Sequence, residues 1–150
     1  SQANIEWDKV TITLADERWV DAKHDDSNEK LVHENLLQNN AAKANFVSLT
    51  TSDKNAEDAQ SIISDRIDEI DEHLDIVILG MGEDGHTASL FPCSSQIKEG
   101  LNLQRKLSAI ATQPTTAPHQ RMSMSLAKIV NAKKARIIIQ SRVDRFIQVN

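Results

Sequence analysis

The chain has 150 residues, of which 39% are apolar and 26% charged, with only four glycines and three prolines. This composition is typical of a globular domain and excludes collagen-like, low-complexity and disordered chains. Twenty-two acidic residues against 17 basic ones leave a net charge of −5, which disfavours nucleic acid as a partner. No apolar run approaches the roughly 20 residues that span a membrane, and a single cysteine, Cys93, excludes an internal disulfide.

The N-terminus is polar and lacks the pattern of a signal peptide, so we expect a cytoplasmic protein. The sequence has no initiator Met and begins almost directly in a strand pattern, which leads us to expect a fragment. We find no internal repeat and no linker, so residues 1–150 are expected to form one α/β domain. The sequence gives no indication of the oligomeric state.

The first half of the chain alternates between strand and helix patterns. Residues 10–14 alternate between apolar side chains and threonines, which predicts a strand, and the polar segment Asp16–Arg18 is expected to form a turn. A helix follows, capped by Asp26 or Ser27, with Glu29 placed to complete a capping box. A brief strand near residues 46–49 and an amphipathic helix over residues 59–70 come next.

The uninterrupted apolar run Ile76–Leu79 predicts an interior parallel strand that is buried on both faces. The glycine-dense loop after it is expected to enter a short helix. Further elements are predicted as strands at 107–111, 122–126 and 135–139, with helices at 126–130 and 143–149. Strands that alternate with helices indicate an α/β fold with a largely parallel sheet.

The loop Gly80–Thr87 contains three of the four glycines of the chain. In open α/β sheets ligands bind at the carboxyl ends of the strands, and glycine lets backbone N–H groups approach a phosphate or an oxyanion. Gly82 and Gly85 are therefore candidate substrate-binding residues. The spacing Gly-x-Gly-x-x-Gly is weak evidence for a dinucleotide, because the preceding strand is not the first of the fold.

His86 follows these glycines directly, and its imidazole can accept a proton from water near neutral pH. Asp84 is placed to orient the ring or to stabilise its cationic form. A histidine that only packs at the turn is the structural alternative. A metal site is disfavoured, because no second histidine lies at ligand spacing. The other histidines are expected to be surface or packing residues: His24, His33, His73 and His119.

Two arginines are candidate anion ligands. Arg18 follows the first predicted strand, where it either faces the ligand edge of the sheet or belongs to a surface salt-bridge turn. Arg121 opens the strand with alternating methionines, where its guanidinium either binds a phosphate bidentately or pairs with one of the many acids. Cys93 and Ser89 lack the sequence context of a nucleophile. We expect the glycine loop to lie in a cleft beside residues 16–18.

Three segments carry a resemblance to a known family. Residues 79–92, Leu-Gly-Met-Gly-Glu-Asp-Gly-His-Thr-Ala-Ser-Leu-Phe-Pro, resemble the signature loop of 6-phosphogluconolactonases. Residues 16–20 with Ser27-Asn28 resemble the second motif of that family, and residues 118–123 resemble its third. Glucosamine-6-phosphate deaminases and isomerases share the Gly-x-Gly-x-Asp-Gly-His core, but the continuation from Thr87 to Pro92 is similar to the lactonases.

The resemblance implies a three-layer αβα, Rossmann-like domain and cofactor-free hydrolysis of 6-phosphoglucono-δ-lactone in the oxidative pentose phosphate pathway. It assigns His86 as the general base on water, Asp84 as its supporting acid, and Arg18 and Arg121 as ligands of the phosphorylated sugar lactone. The alternatives are a sugar-phosphate isomerase or deaminase, and a sugar-phosphate-binding module without activity.

The sequence departs from the family pattern at three places. The N-terminal strand–helix segment with its Gly-Gly-x-Thr-Pro phosphate loop is absent, so we expect a domain truncated at the N-terminus. Cys93 stands where the family has a glycine after Leu-Phe-Pro. Residues 141–145 occupy the region of the family's Gly-x-x-Lys motif, so its lysine contact with phosphate is missing or is made by an arginine.

Overall fold

Short strands and helices alternate along residues 3–139, the part of the chain that the computed structural model describes. The predicted helix over 143–149 and the departure at 141–145 lie outside these residues. The strands are β1 (Thr11–Thr13), β2 (Asp16–Arg18), β3 (Asn45–Val47), β4 (Val77–Gly80), β5 (Ala109–Thr112), β6 (Arg121–Met124) and β7 (Ala135–Ile138). The α-helices are α1 (Asn28–Asn35), α2 (Gln60–Asp68), α3 (Ile97–Gly100) and α4 (Leu126–Val130).

The strands pair in two ways. Strands β1 and β3 are parallel, and so are β4 and β7, where Val77 pairs with Ala135. Strand β6 lies between β2 and β5 in an antiparallel sheet, in which Arg18 is the register partner of Arg121. The α/β class is confirmed. The sequence did not indicate the antiparallel sheet, although an antiparallel pair needs only the short connection that joins β5 to β6.

One apolar core lies between α2 and the strands. Ile63 and Ile67 of α2 have no exposed surface and belong to the same cluster as Ile110 of β5 and Met122 of β6. Burying side chains of this size contributes about 1.5–3 kcal/mol each, so this cluster provides much of the stability of the antiparallel sheet. The same cluster includes Leu79, the last apolar residue before the glycine loop.

Strand β4 begins one residue later than predicted, and the expectation that it is buried on both faces is wrong. Val77 and Leu79 are 5% exposed, whereas Ile78 is 59% exposed, because only one face of the strand packs against the core. All four residues of β7, predicted as a buried strand, are exposed. Within the described residues β4 pairs with β7 alone, which also contradicts the predicted interior position.

Two local predictions need correction, and a third, the helix cap, is confirmed. Residues Asp16–Arg18 form a strand rather than a turn, because their backbone pairs with β6. Ser27 is the N-cap of α1, and its hydroxyl accepts a hydrogen bond from the amide of Lys30. Glu29 does not complete a capping box, since its carboxylate accepts a hydrogen bond from Ser48 instead.

Candidate active site

The loop after β4 closes on itself as a tight turn. Met81 and Thr87 form an antiparallel bridge, and the amide of Gly82 donates to the carbonyl of His86 at 2.9 Å. The amide of Gly85 donates to the carbonyl of Gly82 at 3.0 Å. No α-helix follows the loop before α3, so the predicted helix start is wrong, and these two amides bond within the loop.

Two glycines are required by the shape of this loop. A Cβ atom at Gly82 would collide with the ring of His86 and the carboxylate of Asp84. Gly85 has a φ of +84°, in the left-handed region that residues with side chains rarely adopt. The glycines therefore let the imidazole fold back against its own loop.

His86 and Asp84 form a close pair. The His86 Nδ1 atom lies 2.5 Å from Asp84 Oδ1, and the His86 amide donates to the same oxygen at 3.2 Å. The hydrogen bond from the His86 side chain lowers the pKa of Asp84, so the carboxylate stays ionised and can only accept. Nδ1 therefore carries the proton, and the lone pair of the imidazole is on Nε2.

Phe91 joins the histidine to the arginines. Its ring stacks on the His86 imidazole, with 4.0 Å between centroids and 26° between planes. The guanidinium carbon of Arg121 lies 5.9 Å from the Phe91 centroid, within the range of a cation–π contact. Phe91 is 6% exposed, so it gives both polar groups a fixed apolar neighbour.

Arg18 and Arg121 lie side by side across the β2–β6 pairing. Arg121 is 7% exposed, and burial, followed by the positive charge of Arg18, lowers its pKa. The Nε atoms of both arginines are buried and have no hydrogen-bond partner among residues 3–139. Two adjacent guanidinium groups with unused donors have the chemistry to bind an anion.

Ser89 fixes the histidine segment against the arginine sheet. Its hydroxyl donates to Asp16 Oδ2 at 2.5 Å, and its amide donates to the hydroxyl of Ser123 at 3.1 Å. Its carbonyl accepts from Thr112 at 2.9 Å. Ser89 has no exposed surface and therefore acts as a structural link between the loop and strands β2, β5 and β6.

Glu17 fixes the backbone at Arg18. Its side chain has no exposed surface, and it accepts hydrogen bonds from the amides of Arg18, Asn28 and Glu29 at 2.7 Å each. The hydroxyl of Ser27 donates to it as well, at 3.0 Å. This carboxylate sits at the N-terminus of α1, where the helix dipole favours negative charge.

The candidate residues from the sequence thus fall into two pairs that one segment brings together. His86 with Asp84 lies after β4, Arg18 with Arg121 lies on the antiparallel sheet, and residues 89–91 connect the two. Within residues 3–139 no group of three or more His, Cys, Asp or Glu side chains is arranged to hold a metal ion. None of the described helices is long and apolar enough to cross a membrane.

Comparison with known proteins agrees with this arrangement. The family model described as glucosamine-6-phosphate isomerases/6-phosphogluconolactonase matches residues 1–143. The chain belongs to this family.

Curated members of the family include close relatives of the chain. It is 37% identical over 142 residues to a 6-phosphogluconolactonase of Pseudomonas aeruginosa, a match that covers 95% of the chain and 60% of the relative. It is 44% identical over 135 residues to one of Helicobacter pylori, covering 89% and 56%. The chain thus spans little more than half the length of these family members.

A solved member of the family shares the fold. The crystal structure of a 6-phosphogluconolactonase from Shewanella baltica superposes with a TM-score of 0.88 at 42% identity, covering 93% of this chain and 59% of that one. This similarity confirms the α/β, Rossmann-like fold class that the resemblance implied.

Sequence reasoning missed the residues that hold the site together. Phe91 lies in the motif that carried the resemblance, and its position five residues after His86 was the only signal of a contact. Ser89 was considered only as a nucleophile, and Glu17 only as part of a polar turn. Their partners are distant in sequence or bonded through the backbone, so no local pattern could identify them.

Proposed function

We propose that the chain carries the active site of a 6-phosphogluconolactonase, a carboxylic ester hydrolase of the oxidative pentose phosphate pathway. The enzyme would hydrolyse 6-phosphoglucono-δ-lactone to 6-phosphogluconate in the cytoplasm. The observation that carries the proposal is a histidine paired with a carboxylate and connected through Phe91 to a pair of neighbouring arginines. The names of the relatives from Pseudomonas aeruginosa and Helicobacter pylori support the same reaction.

In this reaction His86 acts as the general base. Its Nε2 removes a proton from water as the water oxygen bonds to the lactone carbonyl carbon. Asp84 holds the proton on Nδ1 and stabilises the imidazolium that forms. The tetrahedral intermediate then collapses, the bond from carbon to the ring oxygen breaks, and the imidazolium returns its proton to that oxygen. The lactone carbonyl is already activated, so no covalent nucleophile is required.

The arginines supply the affinity for the phosphate. A sugar phosphate brings about two negative charges to a protein whose own net charge is −5, so binding requires local cations. Arg18 and Arg121 are adjacent, and their buried Nε–H groups are unused in the described residues. Burial strengthens their attraction for an anion, because little water screens it.

The test measures the rate at which the chain hydrolyses 6-phosphoglucono-δ-lactone, after subtraction of the spontaneous rate. We expect a catalysed rate that is lost in His86→Ala. Release of ammonia from glucosamine 6-phosphate would instead indicate a deaminase. A melting temperature raised by 6-phosphogluconate without any turnover would indicate a binding module.

A further inference from the structure

Each arginine of the site donates a hydrogen bond to a carbonyl group in a different loop, one before α1 and the other before β6. Arg18 Nη1 donates to the carbonyl of Asp26 at 2.5 Å, and Arg121 Nη2 donates to the carbonyl of Pro118 at 3.1 Å. These loops lead into α1 and β6 and are distant in sequence. The direction in which each guanidinium points therefore depends on where its loop lies.

A pair of side chains joins the two loops. His119 Nε2 lies 2.9 Å from Asp26 Oδ2, and the hydrogen bond from His119 lowers the pKa of Asp26. The ionised carboxylate only accepts, so His119 donates. Arg18 and Arg121 are also register partners in the sheet. The contacts therefore form a closed cycle that passes through both arginines, Asp26 and residues 118–119.

Two further observations mark His119 as more than a surface residue. Its φ is +67°, a conformation that few residues other than glycine adopt. Its ring contacts the ring of His24 edge-on at 5.6 Å, and His24 Nδ1 accepts a hydrogen bond from the Asp26 amide at 3.0 Å. The carboxylate, amide and carbonyl of Asp26 are thus each hydrogen-bonded, to His119, His24 and Arg18 respectively.

We propose that Asp26 and His119 form a positioning pair that holds the guanidinium groups of Arg18 and Arg121 side by side for the substrate's phosphate. The choice of phosphate as ligand rests on the proposed function. The sequence predicted His119 to be a surface or packing residue, and this proposal revises that expectation. The pair acts through the arginines, so its loss weakens anion binding and leaves the chemistry at His86 in place.

The test compares two variants of the 150-residue chain in which the side chain at position 26 carries no charge. Asp26→Asn keeps an oxygen that can accept from His119, whereas Asp26→Ala removes it, and both lose the same negative charge. We expect Asp26→Ala to bind inorganic phosphate about threefold to tenfold more weakly than Asp26→Asn, the effect of one hydrogen bond. In a chain that turns over the lactone, KM should differ by the same factor while kcat stays equal.

A second readout does not require catalysis or a ligand. The Nε–H signals of Arg18 and Arg121 in a ¹H–¹⁵N NMR spectrum should exchange faster with water in Asp26→Ala than in Asp26→Asn. In His119→Asn the new residue tolerates the positive φ, but its shorter side chain no longer reaches Asp26. Its Nε–H exchange should therefore resemble that of Asp26→Ala. The matched control is His73→Ala. His73 also connects two loops, because its Nδ1 atom bonds to the carbonyl of Asn131 at the end of α4, away from the arginines.

Equal phosphate affinities and equal Nε–H exchange in the two Asp26 variants would overturn the positioning role. An equal loss in His73→Ala would overturn it as well. Absence of lactone turnover in the unmodified chain would instead count against the proposed function alone, because the NMR comparison remains valid.

Discussion

Strands β6 and β7 have the same length but opposite surroundings. All four residues of β6 are buried and the strand pairs on both sides, whereas all four residues of β7 are exposed. Strand β6 begins with Arg121, and β4, the partner of β7, leads into the loop of His86. The arginine pair Arg18 and Arg121, the proposed anion half of the site, is thus fixed by the core. His86 with Asp84, the proposed base half, is fixed by contacts of its own loop and by Ser89.

The largest expected effect comes from removing the base. His86→Ala should lower kcat about 10²–10⁴-fold, because the variant lacks the imidazole that accepts the proton from water in the proposed reaction. Phosphate binding should be nearly unchanged, since both arginines remain.

The measurement is the rate of lactone hydrolysis above background, together with a binding isotherm for 6-phosphogluconate. A variant that retains most of its turnover would assign His86 a structural role.

The contrast in packing predicts a contrast in stability. Met122 of β6 has no exposed surface, so Met122→Ala should lower the free energy of unfolding by about 2–5 kcal/mol. Ile137 of β7 is 51% exposed, and Ile137→Ala should change it by only about 0.5 kcal/mol. Urea unfolding of both variants measures the difference. Equal losses would show that β7 is covered in solution.

The same contrast explains which parts of the fold were predictable. The pattern of apolar residues located α2, β4 and α4 within a few residues. The same pattern predicted, wrongly, that β4 is buried on both faces and that β7 is buried. Hydropathy reports which side chains suit burial. It does not report whether a partner surface packs on them, and Ile78 and Ile137 are exposed for lack of one in the described residues.

For the site, sequence reasoning found the residues whose chemistry is visible in one position. His86 and Asp84 stand two residues apart, and a glycine loop marks them. The Asp16–Arg18 strand was missed because its three polar residues show no alternation, and their burial depends on partners such as Ser89 and the helix start at Asn28. Such tertiary hydrogen bonds leave no local pattern.

If the base half is held by its own loop, a small change there should displace the imidazole. The added methyl group of Gly82→Ala collides with the His86 ring, and a misplaced catalytic group costs on the order of 10²-fold in kcat. Gly80→Ala is the matched control, because a Cβ at Gly80 meets no atom within 4 Å. Both rates are measured with the same lactone assay. Equal activities would show that the loop adapts and does not fix the ring.

The last expected effect concerns the anion half of the site alone. Arg121→Ala should weaken binding of the phosphorylated lactone about 10- to 150-fold, which corresponds to about 1.5–3 kcal/mol for a hydrogen bond to a charged group. An unphosphorylated lactone should be hydrolysed as before, since His86 and Asp84 are intact. Arg121→Lys should recover only part of the affinity, because an ammonium group cannot reproduce the bidentate guanidinium.

The decisive comparison is the ratio of kcat/KM for the two lactones in each variant. A loss confined to the phosphorylated lactone would place the phosphate on the arginine pair, whose buried Nε atoms have no partner in the described part of the chain. An equal loss for both lactones would mean that Arg121 supports the reacting carbonyl or the packing of Phe91. Because Phe91 contacts both Arg121 and the His86 ring, that result would also show that the two halves of the site are energetically coupled.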